Sequence, residues 1–138
     1  SDKIIIATGS IVSLPSFIKK NKNVIDSDDF FEINDLPKEI IILGAGYIGC
    51  EIACMLAAFG VKVTLIEQVN QILSHLDDDL IKVIKDYMVS NLHIQIYENT
   101  TLSDIKLNND KVKLITNIQF LSYVEIYKAN QYPRRDII

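Results

Sequence analysis

A glycine-rich turn between a strand-like run and a helix-like run is the feature that most constrains the fold of this chain. The turn reads Gly44-Ala45-Gly46-Tyr47-Ile48-Gly49. Before it, residues 39–43 form a short run that is mainly apolar and β-branched, which is typical of a buried parallel strand. After it, residues 48–59 are rich in helix formers and end at Gly60, a residue suited to a helix C-terminus. The pattern predicts a strand, a tight turn and a helix in that order.

A second strand follows the helix and ends at an acidic residue. Residues 61–66 are predicted as this strand, and Glu67 comes directly after it. Strand, glycine turn, helix, strand and terminal acid together form the arrangement that holds the ADP part of a dinucleotide. In that arrangement Gly44 allows the tight turn, Gly46 lets the backbone approach the pyrophosphate, and Gly49 lets helix and strand pack closely. The helix N-terminus offers free N–H groups and a partial positive charge to the phosphates.

The acid also predicts which dinucleotide binds. A carboxylate accepts hydrogen bonds from a ribose diol and repels a 2′-phosphate, for which a nearby Arg is the usual partner. Residues 68–71, which follow Glu67, are Gln, Val, Asn and Gln, without Arg or Lys. The sequence therefore predicts NAD(H) rather than NADP(H). Two alternatives stay open at this point: the glycine pattern also occurs in FAD sites, and Glu67 could be an ordinary solvated strand end.

The remaining periodicity predicts an α/β fold, with a Rossmann-like βαβαβ parallel sheet and an attached antiparallel β meander. Residues 3–10 are predicted as a strand that ends at a tight turn. Aspartates at 77–79 suit the N-terminus of a helix that continues to about residue 92. Residues 93–98 predict the third parallel strand. The predicted meander comprises strands at 101–107, 112–115 and 118–127, with a hairpin turn at 108–110.

Composition and spacing exclude several classes of function. The 138 residues are nearly half apolar and carry a net charge of −4, without the basic stripe of a nucleic-acid partner or the apolar run of about 18–20 residues that spans a membrane. Cys50 and Cys54 lie on one face of the predicted helix. They form neither a CxxC motif nor a complete metal-ligand set, so we interpret them as packed core thiols and predict no metal site. His75 and His93 have no carboxylate or cysteine companions and are assigned no catalytic role.

Several segments resemble the FAD-dependent pyridine nucleotide–disulfide oxidoreductases. They are residues 4–10 (Ile-Ile-Ile-Ala-Thr-Gly-Ser) and residues 40–51, which contain the glycine turn. Residues 63–67, 72–73 and 76–79 are similar to the dihydrolipoamide dehydrogenase branch of that family, whereas the NADPH-dependent glutathione and thioredoxin reductases carry arginines after the second strand. The resemblance covers most of residues 3–107. It implies the three-layer FAD/NAD(P)-binding type of fold, with NAD and FAD as cofactors.

The resemblance also implies roles for individual residues. Tyr47 matches a side chain that covers the flavin face until nicotinamide displaces it; the alternative is a half-exposed tyrosine in the first helical turn. Glu51 matches an acid near flavin and nicotinamide that pairs with a lysine, and its apolar helix predicts that it is buried. Leu102 matches an apolar adenine contact or is ordinary core. The predicted NAD-binding set is Gly44, Ala45, Gly46, Tyr47, Ile48, Gly49, Glu51, Glu67 and Leu102, and the predicted FAD edge is Thr8, Gly9 and Ser10.

The resemblance further implies that the chain is part of a longer enzyme. Residues 1–36 are expected to belong to the edge of an FAD domain and residues 37–138 to the NAD-binding domain. The family's FAD motifs, its redox disulfide and its C-terminal His–Glu pair are absent from the sequence, so the fragment alone is expected to be catalytically inactive. The expected parent reaction is oxidation of dihydrolipoamide with reduction of NAD⁺, through FAD and a disulfide. The alternatives are an NADH oxidase, a coenzyme A disulfide reductase, a mercuric-reductase-like enzyme and a non-catalytic nucleotide-binding module.

Partners and compartment follow from the same resemblance. The FAD domain and the interface domain of the same enzyme are the expected neighbours of this chain. The parent is expected to be a homodimer bound to a 2-oxo acid dehydrogenase complex. The sequence itself leaves the compartment open, and the family implies mitochondrial matrix or plastid in a eukaryote and cytoplasm otherwise.

Overall fold

The computed structural model describes residues 3–8, 12–21, 23–108, 111–117 and 123–125. Within these residues the chain forms three helices and two three-stranded sheets. In chain order the elements are α1 (Ser27–Phe30), β1 (Glu39–Leu43), α2 (Tyr47–Ala58), β2 (Lys62–Ile66), α3 (Asp78–Ser90), β3 (Gln95–Tyr97), β4 (Leu102–Asn108), β5 (Lys111–Thr116) and β6 (Tyr123–Glu125).

The first sheet is parallel, with strand order β1-β2-β3. Its strands carry apolar side chains on both faces, as expected for a parallel sheet that is covered on both sides. One face packs against α2 and α3 in the main hydrophobic core. The largest fully buried side chains of this core are Leu56, Leu65, Ile72, Met88, Ile94 and Val63. The predicted βαβαβ unit is therefore confirmed.

The second sheet is an antiparallel meander, with strand order β4-β5-β6, that covers the other face of the parallel sheet. Ile66 of β2 forms a second buried cluster with Val112 and Leu114 of β5. Helices, parallel sheet and meander thus make three layers, which confirms the predicted fold class. Asn108 pairs with Lys111, so Asn108 ends a strand, while the rest of the predicted turn lies outside the described residues. Of the predicted strand at 118–127, the structure describes only residues 123–125, which form β6.

Both long helices begin or end where their sequence signals predict. At the end of α2, Gly60 has φ +83°, and its N–H donates to the Ala57 carbonyl at 2.9 Å. The Val61 N–H donates to the Leu56 carbonyl at 3.1 Å, which completes a Schellman motif. At the start of α3, the Asp77 side chain accepts from the Asp79 N–H at 3.0 Å, as an N-cap does.

The predicted strand at residues 3–10 is wrong for the part that the structure describes. Residues 3–8 form no strand and are exposed, and the side chains of Ile4, Ile5 and Ile6 are 83%, 91% and 83% exposed. A strand requires neighbours that satisfy its backbone groups and cover its apolar side chains. None of the strands described in this chain pairs with residues 3–8.

Two further features are absent from the part of the chain that the structure describes. No helix there combines the length and the apolar character needed to cross a lipid bilayer. In the same residues, no three His, Cys, Asp or Glu side chains come together as a set that could hold a metal ion.

Candidate dinucleotide site

The glycine turn connects the carboxyl end of β1 to the N-terminus of α2. Gly44 has φ +97°, a conformation that residues with a Cβ rarely adopt. Its N–H donates to the Ile66 carbonyl at 2.8 Å, which continues the hydrogen bonding between β1 and β2 into the turn. A Cβ on Gly49 would lie 2.0 Å from the Gly44 carbonyl oxygen. The turn and the helix can therefore approach this closely only because Gly49 has no side chain.

Gly46 differs from these two glycines because nothing in the described chain requires it to be glycine. A Cβ built on Gly46 meets no atom within 4 Å, and its backbone is extended, with φ −74° and ψ −169°. Gly46 is the N-cap of α2 and supplies no side-chain hydrogen bond. The N–H groups in the first turn of a helix have no intrahelical partner. Among the described residues, therefore, no side chain caps the N-terminus of α2 and none fills the space beside Gly46.

The other two helices that the structure describes have N-termini that differ from that of α2. Asp26 caps α1 and Asp77 caps α3, and each of these helices has two aspartates in its first turn. The first turn of α2 has no acidic residue. Its partial positive charge is therefore not offset by a carboxylate of its own first turn, and a helix N-terminus of this kind suits an anionic group such as a pyrophosphate.

Glu67 lies directly beside the glycine turn. One carboxylate oxygen accepts from the Ala45 N–H at 2.7 Å, and the other accepts from the Val69 N–H at 3.1 Å. The side chain is half-buried, so it is not a freely solvated strand end. Each carboxylate oxygen keeps a further lone pair, and these are the acceptors that a ribose diol needs. Residues 68–70 beside it are exposed.

A loop for which the sequence predicted no contact with the site crosses the glycine turn; we call residues 71–76 the crossing loop. The Leu73 N–H donates to the Ala45 carbonyl at 2.8 Å. The Ile72 N–H donates to the Glu98 carboxylate at 3.1 Å, and Glu98 forms an ion pair with Lys85 of α3. Leu73 is buried and has φ +49°, a left-handed conformation that costs a leucine about 1–2 kcal/mol. The loop is therefore held in place from both of its sides.

The crossing loop brings His75 against Tyr47. Their ring centroids lie 4.2 Å apart with an interplanar angle of 66°, an edge-to-face contact. Tyr47 is the first residue of α2, and its side chain is 53% exposed. No role for His75 was predicted from the sequence, because it has no carboxylate or cysteine companions there. The contact depends on the path of the crossing loop, for which the sequence carries no periodic signal.

Glu51 is exposed, so the prediction that it is buried is wrong within this chain. The buried residues of α2 are Cys50, Ile52, Ala53 and Leu56. At 100° per residue, Glu51 lies on the opposite side of the helix from these residues. It shares that outer face with Tyr47, Ile48 and Met55, which are 53%, 59% and 40% exposed. The apolar character of α2 did not imply that Glu51 is buried, because the exposed face of this helix is apolar as well.

The two cysteines of α2 are packed, protonated thiols. Cys50 is buried and its Sγ donates to the Ala45 carbonyl at 3.4 Å. Burial raises the pKa of Cys50 to about 12, and the nearby Cys54, Glu67 and Glu51 add to that effect. Burial also raises the pKa of Cys54, which is partly buried. Both cysteines are free, so the interpretation as core thiols is confirmed.

The remaining predicted site residues have simpler surroundings. Leu102 is partly buried and packs in the cluster between the parallel sheet and the meander. The Thr100 N–H donates to the Glu67 carbonyl at 2.8 Å, which places the start of β4 beside the end of β2. Thr8 is exposed, and no described contact joins it to the glycine turn. Gly9 and Ser10 lie outside the described residues.

Comparison with known proteins identifies the family. The model of the pyridine nucleotide-disulphide oxidoreductase family matches residues 1–121. A soluble pyridine nucleotide transhydrogenase of Mycobacterium bovis is 30% identical over 137 residues, which are 98% of this chain and 29% of that protein. One from Pseudomonas paraeruginosa is 40% identical over 100 residues, 72% of this chain and 21% of that protein. The HOCl-induced flavoprotein disulfide reductase RclA from Escherichia coli superposes with a TM-score of 0.77 at 29% identity, over 87% of this chain and 28% of RclA.

This chain therefore spans less than a third of the length of these relatives. A pyridine nucleotide and a flavin are the cofactors of the matched family and its flavoprotein members, which confirms the predicted cofactors, NAD and FAD, at the level of the family. These relatives are transhydrogenases and RclA, so they support the family but do not show the narrower prediction of a dihydrolipoamide dehydrogenase. With residues 1–121 of 138 matched, the chain belongs to the pyridine nucleotide-disulphide oxidoreductase family.

Proposed function

We propose that this chain forms the NAD(H)-binding part of a flavin-dependent oxidoreductase. The observation that carries the proposal is the position of Glu67, whose carboxylate lies 2.7 Å from the Ala45 N–H beside the open N-terminus of α2. A carboxylate for a ribose and an uncapped helix N-terminus for a pyrophosphate thus lie next to each other at the glycine turn. The bound flavin of such an enzyme exchanges hydride with the nicotinamide, and this chain's role is to bind and orient the dinucleotide.

The pyrophosphate is proposed to lie against the first turn of α2. The backbone N–H groups of that turn supply hydrogen bonds and the helix dipole supplies a favourable potential. Gly46 contributes by leaving the approach open, since a side chain there would project into space that no atom of the described chain fills. Ala45 and Gly49 keep the turn compact and do not need to contact the ligand through side chains.

Glu67 is proposed to accept hydrogen bonds from the adenine ribose and to select NAD(H). Its carboxylate is fixed by the Ala45 and Val69 N–H groups, so little conformational entropy is lost when a ribose binds. A 2′-phosphate at the same place would meet this carboxylate without an adjacent cation, because residues 68–71 contain neither Arg nor Lys. Leu102 is proposed to contribute an apolar contact to the adenine.

The outer face of α2 is proposed to face the flavin-binding part of the parent protein. Tyr47, Ile48 and Glu51 lie on this exposed face. Glu51 is the residue that the family resemblance pairs with a lysine, and Tyr47 the residue it places over the flavin. Thr8, Gly9 and Ser10 are proposed to contribute to the edge of the same flavin site, within residues 1–36.

Two parent reactions are proposed. Dihydrolipoamide dehydrogenase is supported by the similarity of residues 63–67, 72–73 and 76–79 to that branch. A homodimer, a 2-oxo acid dehydrogenase complex and the compartments named above belong to this proposal. Exchange of hydride between pyridine nucleotides is supported by the names of the relatives. This second reaction requires NADPH to bind as well, although more weakly than NADH. The two separate in an assay of the protein that carries this chain. Reduction of NAD⁺ by dihydrolipoamide supports the first reaction, and reduction of NAD⁺ by NADPH without a thiol supports the second.

The binding proposal is tested by titrating the chain with NADH and with NADPH. We expect the wild-type chain to prefer NADH. Because a hydrogen bond to a charged group contributes about 1.5–3 kcal/mol, Glu67→Ala should weaken NADH binding about 10–100-fold and remove the preference. Glu67→Gln, which keeps one acceptor and loses the charge, should weaken NADH binding less.

Glu32→Ala is the matched control, because Glu32 is an exposed acid near α1. It should leave both titrations unchanged. Thermal unfolding of each variant reports whether the loss of the bond to Ala45 has altered the fold. A wild-type chain that binds NADPH more tightly than NADH contradicts the assignment of Glu67.

A further inference from the structure

We infer that His75 is a positioning residue of the nucleotide site, which acts by holding the Tyr47 ring at the N-terminus of α2. The inference rests on the proposed function, because it assumes that NAD(H) binds at the glycine turn. His75 lies outside the glycine motif and is separate from Glu67 at the end of β2, so the inference adds a residue to the proposed site.

The contact itself is the first support. The two rings meet edge to face with centroids 4.2 Å apart, a geometry in which the positive edge of one ring meets the negative face of the other. Tyr47 is 53% exposed, so about half of its surface has no protein neighbour that could fix the ring. Helical side chains lean toward the N-terminus of their helix, which directs the Tyr47 ring toward the open end of α2. The position of this ring therefore affects the approach to the proposed pyrophosphate site.

The second support is that His75 belongs to a fixed segment. The crossing loop is bonded to the glycine turn through Leu73 and Ala45, and to the end of β3 through Ile72 and Glu98. The Leu76 N–H closes a turn on the Leu73 carbonyl at 2.8 Å, so His75 lies within a hydrogen-bonded turn. A histidine carried on such a loop can hold a neighbouring ring in place, whereas one on an unanchored loop could not.

The expected effect follows from side-chain order. Displacement of Tyr47 from a flavin does not arise in this chain alone, and a Tyr47 ring that is already fixed does not have to be ordered when the dinucleotide binds. Loss of the His75 ring should then weaken NADH binding about two- to tenfold, the range that the energy of an aromatic pair implies. The contact needs an aromatic ring and not a charge or a hydrogen bond, so phenylalanine should replace histidine.

The test is a double-mutant cycle on the full chain with NADH as the probe. We expect His75→Ala to raise the Kd for NADH about two- to tenfold and His75→Phe to stay within about twofold of wild type. The double variant Tyr47→Ala, His75→Ala should bind NADH no more weakly than Tyr47→Ala alone, because His75 acts only through Tyr47. The Tyr47 ring protons should shift in the NMR spectrum of nucleotide-free His75→Ala.

His93→Asn is the matched control. His93 is also exposed and has φ +54°, a conformation that asparagine accepts, so this variant should bind NADH as wild type does. The inference is overturned if His75→Ala binds NADH as tightly as wild type, or if its effect adds fully to that of Tyr47→Ala. It is also overturned if His75→Phe is as weak as His75→Ala, since the imidazole would then act through its nitrogens. A wild-type chain that binds no NADH overturns the proposed function, and this inference with it.

Discussion

Gly46 and Gly49 stand three positions apart in one turn, but their surroundings differ completely. A Cβ at Gly49 would be 2.0 Å from a backbone oxygen, whereas a Cβ at Gly46 meets nothing within 4 Å. We therefore expect Gly49→Ala to lower the free energy of unfolding by about 1–3 kcal/mol, the usual cost of overpacking, although alanine is the better helix former. Urea denaturation followed by circular dichroism measures this change.

Gly46→Ala is the matched comparison at the same scale. Its stability should stay within about 1 kcal/mol of wild type, because only the preference of the N-cap position changes. Its affinity for NADH should nevertheless fall about tenfold or more, since the new methyl group projects into the proposed path of the pyrophosphate. Wild-type affinity in Gly46→Ala would show that the dinucleotide does not approach the turn at this residue.

Single residues were predictable from sequence where chain geometry alone decides their role. Gly44 and Gly49 follow from the conformation and closeness of a strand-to-helix turn, and Glu67 follows from the strand that carries it. Glu51 and His75 were not predictable in the same way. The exposure of Glu51 depends on which face of an apolar helix meets the sheet, and the neighbour of His75 depends on the path of the crossing loop.

The start of α3 is a feature that can be tested at the scale of one element. The Asp77 side chain accepts the Asp79 N–H, and replacement of such a cap by alanine costs about 0.5–2 kcal/mol. We expect Asp77→Ala to lower the free energy of unfolding by that amount and Asp77→Ser, which can cap, to restore most of it. Asp86→Ala, at an exposed position within α3, should change stability by less than about 0.5 kcal/mol. Equal losses in Asp77→Ala and Asp77→Ser would contradict the capping role.

Elements whose partners lie nearby in this chain were predicted to within a few residues. The strands β1 and β2 and the helices α2 and α3 have clear periodicity and end signals, and each packs against the next. Residues 3–8 have an equally strong strand composition but form no strand. Composition shows that such a segment suits a sheet, but it cannot show whether a neighbouring strand is present to complete it.

The layering of the whole molecule is visible in the alternation along one strand. Val63 and Leu65 of β2 belong to the core under the helices, whereas Ile66 belongs to the core under the meander. Apolar residues on both faces of a strand predict that both faces are covered, but they do not show which element covers which face. The structure assigns the helices to one face and the meander to the other, so the parallel sheet that carries the glycine turn is supported from both sides.

This layering predicts that the meander stabilises the proposed nucleotide site through the opposite face of the parallel sheet. Leu114 is buried against Ile66, whose carbonyl accepts the Gly44 N–H at 2.8 Å. We expect Leu114→Ala to lower the free energy of unfolding by about 2–5 kcal/mol and to reduce the hydrogen-exchange protection of the Gly44 amide by the same free energy. Leu80→Ala, which truncates a leucine that is 49% exposed on α3, should cost less than about 1 kcal/mol. If Leu114→Ala reduced protection only within β4 and β5, the meander would unfold separately, and the glycine turn would depend on the helical layer alone.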